Sequence, residues 1–175
     1  RHIERTKFFF FFFDLANYRD LKEQYYTLKQ ELRKFSEKLA HRDYAIALTR
    51  CDTLTPEEVN ERVSSFLKLL ELEPNTLASK YKVREDLETY CQDVHERERA
   101  LPFFVMPISS VSKINIDPLK YALSDVVTNR YLVRPSYQRQ EKISEQKAAS
   151  IIESILLGIS IKSKYFLLNK FKVGV

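Results

Sequence analysis

Two short polar stretches carry the residue types best suited to recognising a flat, hydrogen-bonding ligand. The first is Thr49-Arg50-Cys51-Asp52, directly after the apolar run Tyr44-Ala45-Ile46-Ala47-Leu48. An ionised carboxylate accepts two parallel N–H bonds in a charge-assisted pair, and the N1 and N2 edge of guanine offers two such donors side by side. Adenine offers no such pair. Arg50 adds a planar cation whose guanidinium and aliphatic stem both suit the face of a base. The second stretch, Ser109-Ser110, follows the apolar run Phe103–Ile108 and can present backbone N–H groups to the guanine O6. Each motif alone is equally well explained as a turn or a cap, because Ser, Thr and Asp favour loops through local hydrogen bonds. Their joint position, past the ends of successive strands, favours the recognition reading.

The elements that would position these loops follow from hydrophobic patterning. Phe8–Phe13, closed by Asp14, is a continuous apolar run of the kind that forms a strand buried on both faces of a parallel sheet. Tyr18, Leu21, Tyr25, Leu28, Leu32, Phe35 and Leu39 then recur at spacings of three and four, which predicts one amphipathic helix of about six turns. After the strand at 44–48, Thr55-Pro56-Glu57-Glu58 forms a capping box with proline at the first helical position. Val59, Val63, Phe66, Leu67 and Leu70 supply that helix with a buried face, and Pro74 stops it. Residues 76–100 read as an exposed, weakly packed helix with Leu77, Tyr81, Leu87, Cys91 and Val94 as a thin stripe. A third strand at 103–108 precedes a helix bearing Ile116, Leu119, Leu123, Val126 and Val127. Three strand–helix units in succession imply an α/β fold with three parallel strands and right-handed crossovers. Such sheets bind ligands beyond the carboxyl ends of their strands, so the loops starting at Asp14, Thr49 and Ser109 are the ones that matter.

Bulk composition narrows the class. Residues 1–127 hold 20 Lys and Arg against 21 Asp and Glu, whereas 128–175 hold 9 against 3, so the net charge of +5 belongs to the tail. That basic tail offers a route to nucleic acid through phosphate attraction. Two cysteines, Cys51 and Cys91, fit a reducing compartment, with cytoplasm as the expected location. The six phenylalanines fall well short of the roughly 20 apolar residues of a membrane helix, so no membrane association is expected. Cys91 and His95 stand four apart but lack further ligands, so no metal site is expected. His2 and His41 have no nucleophile near them. The chain does not begin with Met and reads as a fragment.

Residues 1 to about 127 resemble the Obg family of ribosome-associated GTPases. The resemblance rests on RHIERTK at 1–7, on the stretch from Asp14 to Asp52 ending in HRDYAIALTRCD, and on FFVMPISSV with NIDPLKYAL at 103–123. In that family an Asn/Thr-Lys-x-Asp motif recognises guanine, and it maps onto Thr49, Arg50, Cys51 and Asp52, with Arg50 departing from the usual lysine. A Ser-Ala/Ser motif contacts the base oxygen and maps onto Ser109 and Ser110. The resemblance implies part of a P-loop-GTPase-like three-layer sandwich, with GTP or GDP as ligand, Mg²⁺ in the parent family, and the large ribosomal subunit as partner. Gly158 and Gly174 are the only glycines, so the two-glycine phosphate loop GxxxxGKS/T is absent from these residues, as is an Asp-x-x-Gly switch. No ligands for phosphate or Mg²⁺ are recognisable, and those parts do nearly all the catalysis in phosphoryl transfer. The parent family hydrolyses GTP; this chain alone is not expected to. With the neighbouring strand missing, the phenylalanine strand would be an exposed edge that favours self-association.

Residues 130–175, through the stretch RYLVRPSYQRQEKISEQKAASIIESILLGI, resemble the ParB-like amino-terminal domain of GmrSD-type restriction proteins, where Tyr137, Gln138 and Arg139 belong to a nucleotide-associated site. That gives a second, incomplete α+β unit over 128–175, with a helix at 141–157 and strands at 165–168 and 171–175. Two other functional readings stand beside the guanine-nucleotide one. One is a non-enzymatic nucleic-acid-binding adaptor using the basic tail; the other is a recombined fragment without selected function.

Overall fold

A computed structural model describes residues 8–17, 21–95, 98, 100–129 and the backbone of 166–167. The first strand, β1, is Phe8–Asp14, followed by helices α1 (Leu21–Phe35) and α2 (Glu37–Ala40). Strand β2 (Asp43–Thr49) leads through a 3₁₀ turn at Cys51–Thr53 into α3 (Pro56–Leu69). A 3₁₀ turn at Leu77–Tyr81 and the two-residue strand β3 (Tyr90–Cys91) come next, then β4 (Phe104–Pro107), α4 (Ile116–Val127) and β5 (Phe166–Leu167). The sheet order is β3-β4-β2-β1-β5. Strands β1, β2 and β4 are parallel, while β3 and β5 run antiparallel to their neighbours.

This connectivity accounts for the layers. The chain steps across the sheet in one direction, from β1 to β2 to β4. Right-handed crossovers therefore put α1 and α3 on the same face. Helix α4 covers the other. The pleat then sorts the phenylalanines: Phe9, Phe11 and Phe13 pack toward α1 and α3 with Tyr25, Val63 and Phe66, whereas Phe8 and Phe10 pack toward α4 with Met106, Leu119 and Val126. A strand buried on both sides needs apolar residues at every position, which is what six consecutive phenylalanines supply. The register runs one for one from Phe8 opposite Asp43 to Asp14 opposite Thr49, which brings the ends of β1 and β2 level.

Helix α3 is delimited by local chemistry. Thr55 accepts from the Glu58 N–H, the Glu58 carboxylate accepts from the Thr55 N–H, and Pro56 follows at the first helical position. At the other end Glu71 takes a left-handed φ of 59°, and the Leu72 N–H reaches back to the Leu67 carbonyl at 2.9 Å. That is a glycine-type helix stop made with a glutamate, and Pro74 lies beyond it.

Four expectations need correction. The single helix expected over 18–39 breaks at Ser36 into α1 and α2. Leu39 is buried on α2, but Phe35 is 55% exposed at the end of α1. Periodicity alone does not detect such a break, because Leu39 keeps a buried place on the new axis; Tyr18 lies outside the described residues. Second, 76–100 is not a helix. Its apolar residues Tyr81, Leu87, Cys91 and Val94 are buried, but through a 3₁₀ turn, loops and β3 paired to β4. Asn75 organises this stretch, donating to the Cys91 carbonyl and accepting from the N–H groups of Leu77 and Cys91. Third, Cys91 lies on β3 and His95 in the bend beyond it, so the two do not share the helix that their spacing was read on. Fourth, β1 is not a bare edge: Phe9 and Phe10 pair with Leu167 and Phe166, and all its phenylalanines but Phe12 are buried. The expected tail helix, and Tyr137, Gln138 and Arg139, lie outside the described residues. No described helix is long and apolar enough to cross a membrane.

Candidate functional site

Three loops meet at the carboxyl ends of β1, β2 and β4. The level register of β1 and β2 lets the Leu15 N–H donate to the Thr49 carbonyl at 3.0 Å, and the Thr49 hydroxyl donate to the Phe13 carbonyl at 3.1 Å. The Cys51 N–H donates to the Ile108 carbonyl at 3.3 Å, and the Ile108 N–H to the Leu48 carbonyl at 2.8 Å. Thr49–Asp52 is thus tied on one side to the end of β1 and on the other to the residue before Ser109-Ser110. The residues predicted for guanine, Thr49, Arg50, Asp52, Ser109 and Ser110, therefore lie on adjoining loops, while Tyr137, Gln138 and Arg139 lie outside the described residues.

Arg50 is the pivot of the middle loop. Its φ of 63° puts it in the left-handed region, uncommon for a residue with a side chain. Its carbonyl accepts from the Thr53 hydroxyl and N–H, which closes the Cys51–Thr53 turn. The reversal leaves Asp52 exposed, and its carboxylate makes no hydrogen bond or ion pair with the described residues. Arg50 instead pairs with Asp14, Nη1 to Oδ2 at 2.8 Å. Cys51 points inward, and burial, reinforced by the neighbouring Asp52 charge, pushes its thiol up to about 11. A thiol so far from ionising is no nucleophile at neutral pH.

The Ser109 loop is held by its own fold and by one asparagine. The Ser109 N–H donates to the Ile114 carbonyl at 3.1 Å, and its hydroxyl accepts from the Ser112 N–H at 3.0 Å. Ser109 is almost fully buried, whereas Ser110 is exposed and makes no hydrogen bond with the described residues. Asn115, left-handed at φ 54° and 5% exposed, donates to the Pro107 carbonyl at 2.9 Å and accepts from the Arg84 N–H at 2.8 Å. It thereby pins the end of β4, the start of α4 and the 82–86 loop together. A burial this deep requires both partners, since an unsatisfied buried amide costs about 1–3 kcal/mol.

Arg62 and Asn115 were not among the residues that sequence patterning singled out, and Asp14 was named only as the start of a loop, with no partner for its carboxylate. Arg62, on α3, donates from Nη1 to the carbonyls of Leu15 and Ala16 at 2.9 and 3.2 Å and fixes the first loop from above. No spacing announces that contact. Asn115 did carry a signal, as an asparagine just before a helix whose second residue is acidic and third is proline.

Parallel strands, helices on both faces and loops gathered at the strands' carboxyl ends make this an α/β chain consistent with part of a P-loop GTPase-type domain. Comparison with known proteins sharpens the class. Over 135 residues the chain is 47% identical to GTPase Obg of Sulfurimonas denitrificans, covering 74% of this chain and 36% of that protein. Over 127 residues it is 43% identical to GTPase Obg of Nautilia profundicola, covering 73% and 32%. About three quarters of the chain is accordingly similar to part of GTPase Obg, and the chain spans about a third of the length of the curated relatives it matches. No family model matches the chain, and no solved structure matches it.

Proposed function

We propose that residues 1–127 are the guanine-recognising part of an Obg-type G domain, with GTP or GDP as ligand. The observation that carries this is the meeting of three loops in which, among the described residues, Asp52 is the one carboxylate left exposed and unpaired, with the exposed Ser110 on the adjoining loop. In this reading Asp52 accepts from N1 and N2 of guanine, Ser110 donates to O6 with Ser109 shaping the loop, and Arg50 covers the face of the base. Thr49 ties the base loop to β1. The 47% identity to a GTPase Obg supports the same ligand.

Hydrolysis is not assigned to these 175 residues. They contain no GxxxxGKS/T loop, and Mg²⁺ and the phosphates have no recognisable ligands among them. Binding to the large ribosomal subunit and a cytoplasmic location follow from the family reading alone. Residues 128–175 form a separate ParB-like segment in this account, with Tyr137, Gln138 and Arg139 toward nucleotide or nucleic acid, on the strength of sequence alone.

The test is a titration of the full chain with fluorescent GDP, using GDP and ATP as competitors. Displacement by GDP with at least about tenfold preference over ATP is expected, since a site built to pair with two N–H donors is left unsatisfied by a base lacking them. Equal displacement by both would remove the base-specific reading.

A further inference from the structure

Asp14 ends β1 directly opposite Thr49, one residue before the reversal at Arg50. Its two carboxylate oxygens are divided between two tasks. Oδ1 accepts from the Ala16 N–H at 3.0 Å and holds its own loop, while Oδ2 accepts from Arg50 Nη1 at 2.8 Å. That loop is itself immobilised by the Leu15 N–H on Thr49 and by Arg62 on the Leu15 and Ala16 carbonyls. The anchor for the guanidinium is therefore fixed at both ends. Arg50 is tethered through a single nitrogen, and its side chain remains 59% exposed against 33% for Asp14. One nitrogen is held while most of the side chain stays exposed.

We propose that Asp14 is a positioning residue that sets the Arg50 guanidinium for stacking on the nucleotide base. This rests on the base-recognition reading above and deepens it, by making the β1–α1 loop a third determinant of base affinity. An unanchored arginine would lose more side-chain freedom on binding, and ordering a rotamer-rich side chain weakens affinity. The pair is also one that a lysine at position 50 would form differently, because an ammonium held by a carboxylate leaves no planar face to stack.

A double-mutant cycle on the full chain, read by fluorescent GDP, tests the proposal. Asp14→Asn should weaken GDP roughly two- to fivefold, the range for a part-exposed ion pair. Asp14→Glu should recover part of the loss. In an Arg50→Ala background, Asp14→Asn should change nothing. An equal loss in both backgrounds, with circular dichroism unchanged, would make Asp14 a structural residue and overturn the proposal, as would no loss in either. If Arg50→Ala binds too weakly to titrate, the Arg50 Nε–H resonance decides: a larger shift on adding GDP in the parent chain than in Asp14→Asn supports positioning, and equal shifts contradict it. Failure of the parent chain itself to bind GDP would remove the base reading and this inference together, whereas binding without coupling would remove this inference alone.

Discussion

Asp52→Asn is expected to weaken GDP binding by roughly 10- to 150-fold while leaving the thermal midpoint of the chain within a degree or two. The binding loss corresponds to one hydrogen-bonded charge, about 1.5–3 kcal/mol. The stability is spared because Asp52 is exposed and bonds to no described residue. A carboxamide keeps one acceptor but turns an N–H toward the guanine 2-amino group, so a donor faces a donor. The same change should improve binding of xanthosine diphosphate, whose carbonyl at position 2 accepts from that N–H. Competition titrations of both nucleotides against both chains measure the exchange. Weakening of both nucleotides alike would point to a disturbed loop rather than to a lost base contact.

Phe10→Ala should be the most damaging single truncation, costing about 3–5 kcal/mol. Phe10 is fully buried, edge-on to Phe104 with centroids 5.7 Å apart and to Phe12 at 4.2 Å. Its Cα partner is Ala45 on β2, a residue too small to refill the space. Against a whole-domain stability of about 5–15 kcal/mol, the loss would consume a large fraction. Urea midpoints of the parent and variant chains provide the check. A shift worth less than about 1 kcal/mol would mean that Phe10 is not packed between α4 and the sheet as described.

How far the sequence could be read differs by element, for physical reasons. β1 was legible because a strand buried on both faces leaves an unbroken apolar run. Helix α3 was legible because Thr55, Pro56 and Glu58 write its start chemically rather than through packing. The 76–100 stretch was not, because its apolar residues at spacings of three to six mimic a thin helical stripe. What orders it is Asn75 and the pairing of β3 with β4, both set by tertiary contacts. In the candidate site, Thr49, Asp52, Ser109 and Ser110 could be located from strand ends alone. The pairing of Arg50 with Asp14, 36 positions apart, could not, since it depends on the register of β1 against β2. Asn115 likewise acts through Pro107 and Arg84, which only the folded chain brings within reach.

Where the base sits is tested most directly by amide chemical-shift mapping of the labelled chain during GDP titration. Base recognition by these loops puts the largest shifts on Arg50, Asp52 and Ser110, with Leu15 and Ala16 moving less and the amides of α4 staying still. Saturating GDP that leaves Asp52 and Ser110 unmoved, or that shifts only residues of the 128–175 tail, would contradict it.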